Sequence, residues 1–193
     1  MKKNLEQKKR NVLEKSAKLF YYQGYVNTGI NEILKECKIP KGSFYYYFKN
    51  KDDLLMQIID YHTDNLILFF DKVVDDLSMV KLKTFFSGYF NSIVKNKCHG
   101  GSPLGNFAIE LADINEEARE RLNFSYEKIE KRVALFLEMI KNTNSKYTNI
   151  NSQIYSKMLI AQMEGVMFKV KLTRNEEEIE NFFRFFDVLV YGD

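Results

Sequence analysis

The sequence predicts an all-α protein with an N-terminal three-helix head over residues 1–50 and a C-terminal helical body over residues 51–193. Apolar residues recur at helical spacing in one segment after another, and no segment has the features of a strand. The charge is also divided unevenly. Residues 1–51 contain 12 Lys or Arg and 4 Asp or Glu, a net charge of +8, whereas the remaining residues have a net charge of −5. This division is typical of a head that binds a polyanion, attached to a neutral or acidic body.

The composition argues against membrane and secreted proteins. No charge-poor run approaches the ~18 apolar residues that a membrane span requires. The lysine-rich N-terminus is not followed by the apolar segment of a secretory signal. Cys37 and Cys98 are isolated thiols, so a disulfide framework is not expected. We therefore expect a cytoplasmic protein with no membrane partner.

The first two helices of the head are predicted from apolar spacing and capping residues. Apolar residues recur up to Phe20, and Gly24 suits the C-terminal end of that helix. Thr28 is predicted to be the N-cap of a short second helix, whose apolar face includes Ile33. Pro40 cannot continue a helix that begins upstream, so we expect it at the first position of the third helix.

The third helix is predicted to expose aromatic side chains. Phe44 and Phe48 are four residues apart, so both can point into a small core. A helix this short cannot bury all three tyrosines at positions 45–47, and some phenol groups must face solvent. Exposed phenols beside Lys41 suit a nucleic-acid surface, because lysine binds phosphate and tyrosine binds phosphate or a base edge.

This segment resembles the helix-turn-helix signature of the TetR/AcrR family of bacterial transcriptional regulators. The matching residues are Gly24-Tyr25, Thr28, Ile30, Ile33, Pro40-Lys41-Gly42-Ser43-Phe44-Tyr45, Tyr47-Phe48 and Asn50-Lys51-Asp52-Asp53-Leu54-Leu55. The sequence departs from the pattern at Lys38, where the family usually has glycine, and a lysine held at positive φ costs about 1 kcal/mol. The shorter run GGSPLGNFAIELAD resembles the start of the ligand-pocket domain in one branch of the family, where a short helix crosses the body.

The resemblance implies that the head contacts a double-stranded DNA operator. The implied contacts are Thr28, Lys41, Gly42, Ser43, Tyr45, Tyr46, Tyr47 and Lys51. Among them we expect Ser43 and Tyr46 to read bases, and the lysines and Thr28 to hold phosphates. Two such heads about 34 Å apart, one turn of B-DNA, would read the halves of a palindrome.

The body is predicted to begin with a long helix, and this helix connects the body to the head. Asn50 is expected to cap it, with Asp53 in capping-box register, and the helix is expected to continue to about Leu77. A shift at its far end would tilt the head. His62 lies on its apolar stripe and is interpreted as a packing histidine with its hydrogen bonds satisfied. Further helices are expected at about 80–97, from near 104, and at about 115–141, 152–171 and 175–191.

The last helix is apolar around most of its circumference, so it must be covered on more than one side. We therefore expect an isologous homodimer through the last two helices, an arrangement that the family resemblance also implies. The candidate interface residues are Ile154, Met158, Ala161, Gly165, Phe182, Phe183, Phe186 and Val190.

The body contains no recognisable catalytic set, so no enzymatic activity and no cofactor are predicted. Cys98 and His99 are adjacent and chelate poorly, so no metal site is predicted either. The resemblance implies a pocket for a small, largely apolar effector, whose binding would move the long helix and release DNA. The candidate pocket walls are Phe86, Tyr89, Phe90, Phe107, Glu110, Phe124 and Phe168.

Two other functions remain compatible with these patterns. An architectural DNA-binding dimer would use the same head without any effector. An all-α ligand carrier or enzyme with a vestigial head would not depend on the tyrosines of the third helix. Loss of DNA binding on substitution of those tyrosines distinguishes the second alternative from a regulator.

Overall fold

The structure is a computed structural model that describes residues 2–191, with the side chains of residues 5–190. The described residues form nine α-helices and one 3₁₀ turn and contain no strand, which confirms the all-α prediction. The helices are α1 Lys2–Gln23, α2 Ile30–Cys37, α3 Lys41–Tyr47, α4 Lys51–Val73, α5 Met79–Lys95, α6 Pro103–Leu111, α7 Glu116–Thr143, α8 Ser152–Thr173 and α9 Glu177–Tyr191. None of these helices, over residues 2–191, is long and apolar enough to cross a membrane.

Helices α1 to α3 form the head around a small apolar core. Phe44 and Phe48 are buried in it, as predicted. The turn between α2 and α3 contains Lys38 in the left-handed region, with φ 54° and ψ 45°, as expected for a position where the family has glycine. Two boundary predictions were wrong. Gly29, and not Thr28, is the N-cap of α2, and Pro40 is the N-cap of α3 rather than its first residue.

Helix α4 leaves the head and packs along α7 in the body. Its N-terminus is capped as predicted, because the Asn50 side chain accepts a hydrogen bond from the Asp53 N–H at 2.7 Å. The helix ends at Val73, four residues before the predicted end, and the hydroxyl of Ser78 caps the following helix α5. Three ion pairs join α4 to α7: Asp60 to Arg121 (3.4 Å), Asp64 to Lys128 (3.2 Å) and Asp71 to Arg132 (2.6 Å).

An aromatic cluster joins α5 to α9 in the centre of the body. The ring of Phe182 lies 5.0 Å from those of both Phe86 and Phe90, measured between centroids. This packing corrects the predicted dimer interface, because Phe182, Phe186 and Val190 are buried within their own chain. Burial against α5 meets the need of α9 for cover on this face, which the sequence-based argument had assigned to a second copy.

Helix α6 lies between the head and the rest of the body. Its N-terminus is capped by Ser102, whose hydroxyl accepts from the Gly105 N–H at 3.1 Å, and Pro103 occupies the first turn. At its other end, the Glu110 carboxylate accepts hydrogen bonds from the backbone N–H groups of Tyr25 (2.9 Å) and Val26 (2.8 Å) in the loop between α1 and α2. Helix α6 therefore attaches the head to the body directly.

Candidate nucleic-acid interface and body cavity

Helix α3 exposes a surface that we call the recognition face, which consists of Lys41, Gly42, Tyr45 and Tyr46. The structure keeps these residues together because Phe44 and Phe48 hold the opposite side of the helix in the head core. Ser43 and Tyr47 are half-buried at the edges of this face.

Tyr46 is the most exposed aromatic residue of α3, with 69% of its surface accessible. Its ring makes an edge contact with Tyr47, at 5.6 Å between centroids. Gly42 adds open space beside it, because a Cβ built there meets no atom within 4 Å. A phenol and an open stretch of backbone can therefore approach the same ligand surface.

Exposed cations surround the recognition face. Lys35, Lys38, Lys41 and Lys49 are all exposed. Within the part of the chain that the structure describes, none of these four lysines forms an ion pair. The Lys41 ammonium lies 6.0 Å from the centre of the Tyr45 ring. The positive charge of the head is thus available to an external polyanion.

The structure contradicts the prediction that the Thr28 side chain contacts DNA. Thr28 is fully buried, with 0% of its surface accessible. Its hydroxyl donates to the Gly24 carbonyl at 2.7 Å, which closes the turn that follows α1. This hydrogen bond makes Thr28 a structural residue of the head.

Lys51 is half-buried at the start of α4 and makes contacts that the sequence pattern did not indicate. Its ammonium donates to the carbonyls of Tyr25 (2.9 Å) and Thr28 (3.0 Å) and lies 4.0 Å from the centre of the Tyr25 ring. Burial lowers the pKa of this ammonium below its usual value. In this arrangement Lys51 holds the loop between α1 and α2 on the start of α4, and its assignment as a phosphate ligand stays a prediction.

A cavity of about 300 Å³ lies between α4, α5 and α6, and we call it the body cavity. Its lining consists of His62, Asn65, Leu66, Phe69, Gly88, Tyr89, Ser92, Pro103 and Leu104. Apolar side chains and one proline make up much of this wall, with a few polar groups among them. Such a composition suits a small organic ligand.

Of the seven predicted pocket walls, only Tyr89 lines the body cavity. Phe86 and Phe90 belong to the aromatic cluster with α9, and Phe107 is buried against Phe20. Phe124 and Phe168 lie on the surface, with 55% and 50% of their area accessible. The predicted set therefore does not form one pocket. Helical spacing identifies apolar residues but does not distinguish those that border a void from those that fill the core.

Two wider clefts lie where the head meets the body. One, of about 700 Å³, runs between α1 and α4 and shares His62 and Pro103 with the body cavity. The other, of about 580 Å³, runs between α1, α6 and α8 and includes the predicted residues Glu110 and Phe168. The Glu110 carboxylate is occupied by the head loop, so its observed contacts are structural.

The interpretation of His62 as a packing histidine with its hydrogen bonds satisfied is wrong in one respect. Its ring packs against Phe107, at 6.4 Å between centroids, but its buried Nε2 atom has no hydrogen-bond partner among the residues that the structure describes. Burial lowers the pKa of His62 to about 4, so the ring is neutral at physiological pH. A buried unpaired polar atom costs on the order of 1–3 kcal/mol. The residue that bears this cost, His62, lines the body cavity.

A polar cluster inside the body was not predicted from the sequence. Glu164 on α8 accepts a hydrogen bond from the Ser102 hydroxyl at 3.0 Å, and Ser102 in turn accepts one from Tyr89 at 3.2 Å. The Tyr126 hydroxyl also faces the Glu164 carboxyl. Burial raises the pKa of Glu164 to about 7. The sequence did contain one signal, an acidic residue between the buried residues Met163 and Val166.

Helix α8 presents an apolar row to solvent, which we call the α8 stripe. Its residues are Ile154, Met158, Ala161, Gly165, Phe168 and Leu172, all exposed in the single chain. Their alternating spacing of four and three residues places them on one side of the helix. Four of the eight predicted interface residues belong to this stripe, whereas Phe183 is half-buried on α9 beside Phe90.

No group of three or more His, Cys, Asp or Glu side chains that could hold a metal ion occurs among the described residues.

Two family models match the chain. The model described as "Bacterial regulatory proteins, tetR family" matches residues 12–58, and the model described as "Tetracyclin repressor-like, C-terminal domain" matches residues 78–186. The first range contains the recognition face, and the second contains the body from the end of the α4–α5 loop almost to the end of α9.

Full-length similarity extends to proteins from several bacteria. An uncharacterized HTH-type transcriptional regulator of Lactococcus lactis subsp. lactis is 29% identical over 183 residues, which are 93% of this chain and 91% of that protein. The HTH-type transcriptional repressor DhaR of Mycobacterium sp. strain GP1 is 24% identical over 174 residues, which are 90% of this chain and 87% of that protein. The crystal structure of reduced E. coli NemR has a TM-score of 0.84 at 17% identity, over 93% of this chain and 95% of that one, so its fold is the same.

Proposed function

The chain belongs to the TetR family of DNA-binding transcriptional regulators, and from this premise we propose that it is a homodimeric repressor that a small, largely apolar effector releases from a palindromic operator. The observation that carries the proposal is the recognition face, on which open backbone, exposed phenols and unpaired lysines lie side by side. The named relatives are transcriptional regulators, and we propose regulation without catalysis, in the cytoplasm, for this chain as well.

Within the recognition face we assign different tasks to different side chains. Tyr46 and the neighbouring Ser43 are proposed to read base edges, because Tyr46 is the most exposed aromatic side chain of α3. Lys41 and Tyr45 are proposed to hold phosphates, with support from the exposed Lys35 and Lys38. Gly42 allows the DNA backbone to approach α3 closely.

A second copy of the chain is the proposed partner of the α8 stripe. Its spacing is that of a helix that packs against another helix, and Ala161 and Gly165 at its centre permit close approach. Isologous pairing of this stripe would place two heads in one particle. The domain division at residues 50 and 51 is part of this proposal, with α4 as the element that connects the two functions.

The body cavity is the proposed effector site. Helix α6 contributes Pro103 and Leu104 to its wall, and the same helix holds the head loop through Glu110. Helix α4 contributes His62 to the wall and starts beside the recognition helix. A ligand that favours a different position of α4 and α6 would therefore change the distance between the two heads and shift the population away from the DNA-bound form.

The test of this function is operator binding by the wild type and by Tyr46→Ala, measured by fluorescence anisotropy on DNA from upstream of the protein's own gene. We expect the substitution to weaken specific binding at least tenfold. Tyr22→Ala is the matched control, because Tyr22 is a similarly exposed tyrosine of the head outside the recognition face. Equal binding by the wild type and Tyr46→Ala would exclude the proposed face, and would favour a carrier or an enzyme with a vestigial head.

A further inference from the structure

The Glu164 carboxyl is largely buried in the body. Its neighbours are hydroxyl groups: Ser102 donates to Oε1 at 3.0 Å, and Tyr126 faces the same group. Among the described residues, no lysine, arginine or histidine is close enough to Glu164 to shift its pKa. Buried carboxylates are normally paired, since an unpaired buried charge is costly.

Two cations at the C-terminal end of α8 are engaged in other contacts. The Lys171 ammonium donates to the Asn106 side chain at 2.9 Å, and the Arg174 guanidinium donates to the Cys98 carbonyl. Lys171, near the C-terminal end of α8, thus contacts α6, and Arg174, the residue that follows α8, contacts the segment before α6. Neither of these contacts involves Glu164.

Tyr89 and the first turn of α6 lie between the Glu164 carboxyl and the body cavity. The ring of Tyr89 lines the cavity, while its hydroxyl donates to Ser102 at 3.2 Å, and Ser102 donates to Glu164. In the first turn of α6, Leu104 lines the cavity and Gly105 faces the carboxyl. A Cβ at Gly105 would collide with the Glu164 carboxylate, so the glycine leaves room for it.

We propose that the effector consists of an apolar portion, which fills the body cavity, and one cationic group, which pairs with Glu164 when the Tyr89 hydroxyl moves away from Ser102. The proposal rests on the proposed function, because it assumes that the body cavity is the effector site. It adds the chemical class of the ligand and assigns Glu164 as its charged partner.

The electrostatics of the cluster favour a cation over other ligands of the same size. Without a ligand, burial favours the protonated carboxyl, in line with the raised pKa of Glu164. An ammonium group within about 4–6 Å favours the ionised form and gains a charge-assisted hydrogen bond. A neutral hydroxyl gains only an ordinary hydrogen bond, and a carboxylate is repelled.

The proposal is tested with three probes that share one ring and differ in charge: benzylamine, benzyl alcohol and benzoate. Binding of each probe to the full chain is measured by isothermal titration calorimetry. We expect benzylamine to bind wild type at least tenfold more tightly than benzyl alcohol, and benzoate to bind more weakly than both. Glu164→Gln should abolish the preference for the amine, and Glu164→Asp should retain part of it because the charge remains. Glu138→Gln is the matched control, since Glu138 also accepts a hydrogen bond from a serine, Ser152, but lies far from the cavity lining.

Equal binding of the amine and the alcohol, no binding of any of the three, or an amine preference that survives Glu164→Gln would each overturn the proposal. The failure of the proposed function is a separate result. Operator binding by wild type in the absence of any probe tests that function, and a protein that binds its operator but shows no amine preference keeps the function and loses only this assignment. If Glu164→Gln does not fold, the comparison of wild type with Glu164→Asp decides the outcome, because only the position of the carboxylate differs between them.

Discussion

The recognition face and the body cavity are built in opposite ways. The four residues of the recognition face all lie within the seven-residue helix α3, and they are exposed because Phe44 and the following Phe48 anchor the other side in the head core. The body cavity and the Glu164 cluster combine residues of α4 to α8 that lie up to about a hundred positions apart. A site on one short helix can be located from local sequence, whereas an interior site depends on how distant helices pack.

The largest expected effect comes from a substitution in the body that changes DNA binding by the head. Gly165→Arg places a charged side chain in the centre of the α8 stripe, while the monomer should fold, since a Cβ at this position meets no atom within 4 Å. We expect a monomer by light scattering and a loss of operator affinity of at least about 100-fold, because two linked heads bind far more tightly than one. Asn149→Arg, on an exposed loop residue outside the stripe, is the control. A dimeric Gly165→Arg protein would exclude the α8 stripe as the interface.

The next prediction concerns the pH dependence of stability that the buried Glu164 cluster should cause. The pKa of Glu164 is raised to about 7 from 4.5, so the folded state holds this proton more tightly than the unfolded state. The stability from this group is fully present below pH 4.5 and is lost as the pH rises through about 7, with a maximum loss of about 3 kcal/mol. Glu164→Gln should therefore be more stable than wild type in urea denaturation at pH 8 and similar to it at pH 4.5. A constant difference between the two pH values would show that the carboxyl is not the source of the effect.

Lys51 tests where the recognition face ends. Lys51→Ala removes two hydrogen bonds to carbonyls and a contact with the Tyr25 ring, so we expect a loss of about 2 kcal/mol in the free energy of unfolding. The salt dependence of operator binding should stay nearly unchanged, because this ammonium is directed into the head. Lys41→Ala should do the reverse, with unchanged stability and a salt slope reduced by about 1. A reduced salt slope of operator binding in Lys51→Ala would show that Lys51 is a phosphate ligand.

The smallest effect concerns the turn of the head. Lys38 has φ 54°, a region that glycine adopts without strain, so Lys38→Gly should stabilise the protein by about 1 kcal/mol in thermal denaturation. Lys35→Gly is the contrasting substitution, because Lys35 lies within α2 and glycine there should destabilise by about the same amount. Destabilisation by Lys38→Gly would mean that the lysine side chain makes a compensating interaction.

Much of the fold followed from local sequence. The buried pair Phe44 and Phe48 and the cap at Asn50 were predicted correctly, whereas the positive φ of Lys38 was implied only by the resemblance to the family. These features depend on spacing, side-chain chemistry and backbone geometry within a few residues. The boundary errors at Thr28 and Pro40 were shifts of a single position, because several residues near a helix start can act as its cap.

The sites of the body could be predicted only in part. The predicted interface residues Ile154, Met158, Ala161 and Gly165 lie in one exposed row of α8, but the prediction grouped them with Phe182 and Phe186, which the aromatic cluster buries. It also marked phenylalanines as cavity walls without distinguishing core from surface. Apolar spacing predicts which residues share a helix face, but it does not predict which element packs against that face.

The sequence by itself determined the helical class, the charged head and the exposed tyrosines of α3, because each depends on composition or on neighbours within one or two turns. Only the tertiary structure decided that Lys51 hydrogen-bonds the loop between α1 and α2, that His62 Nε2 has no partner within the described part of the chain, and that Glu164 meets Ser102 and Tyr126 beside a cavity. The physical reason is that burial and hydrogen-bond partners are properties of contacts between distant segments, and the linear pattern does not specify which of several apolar faces will meet.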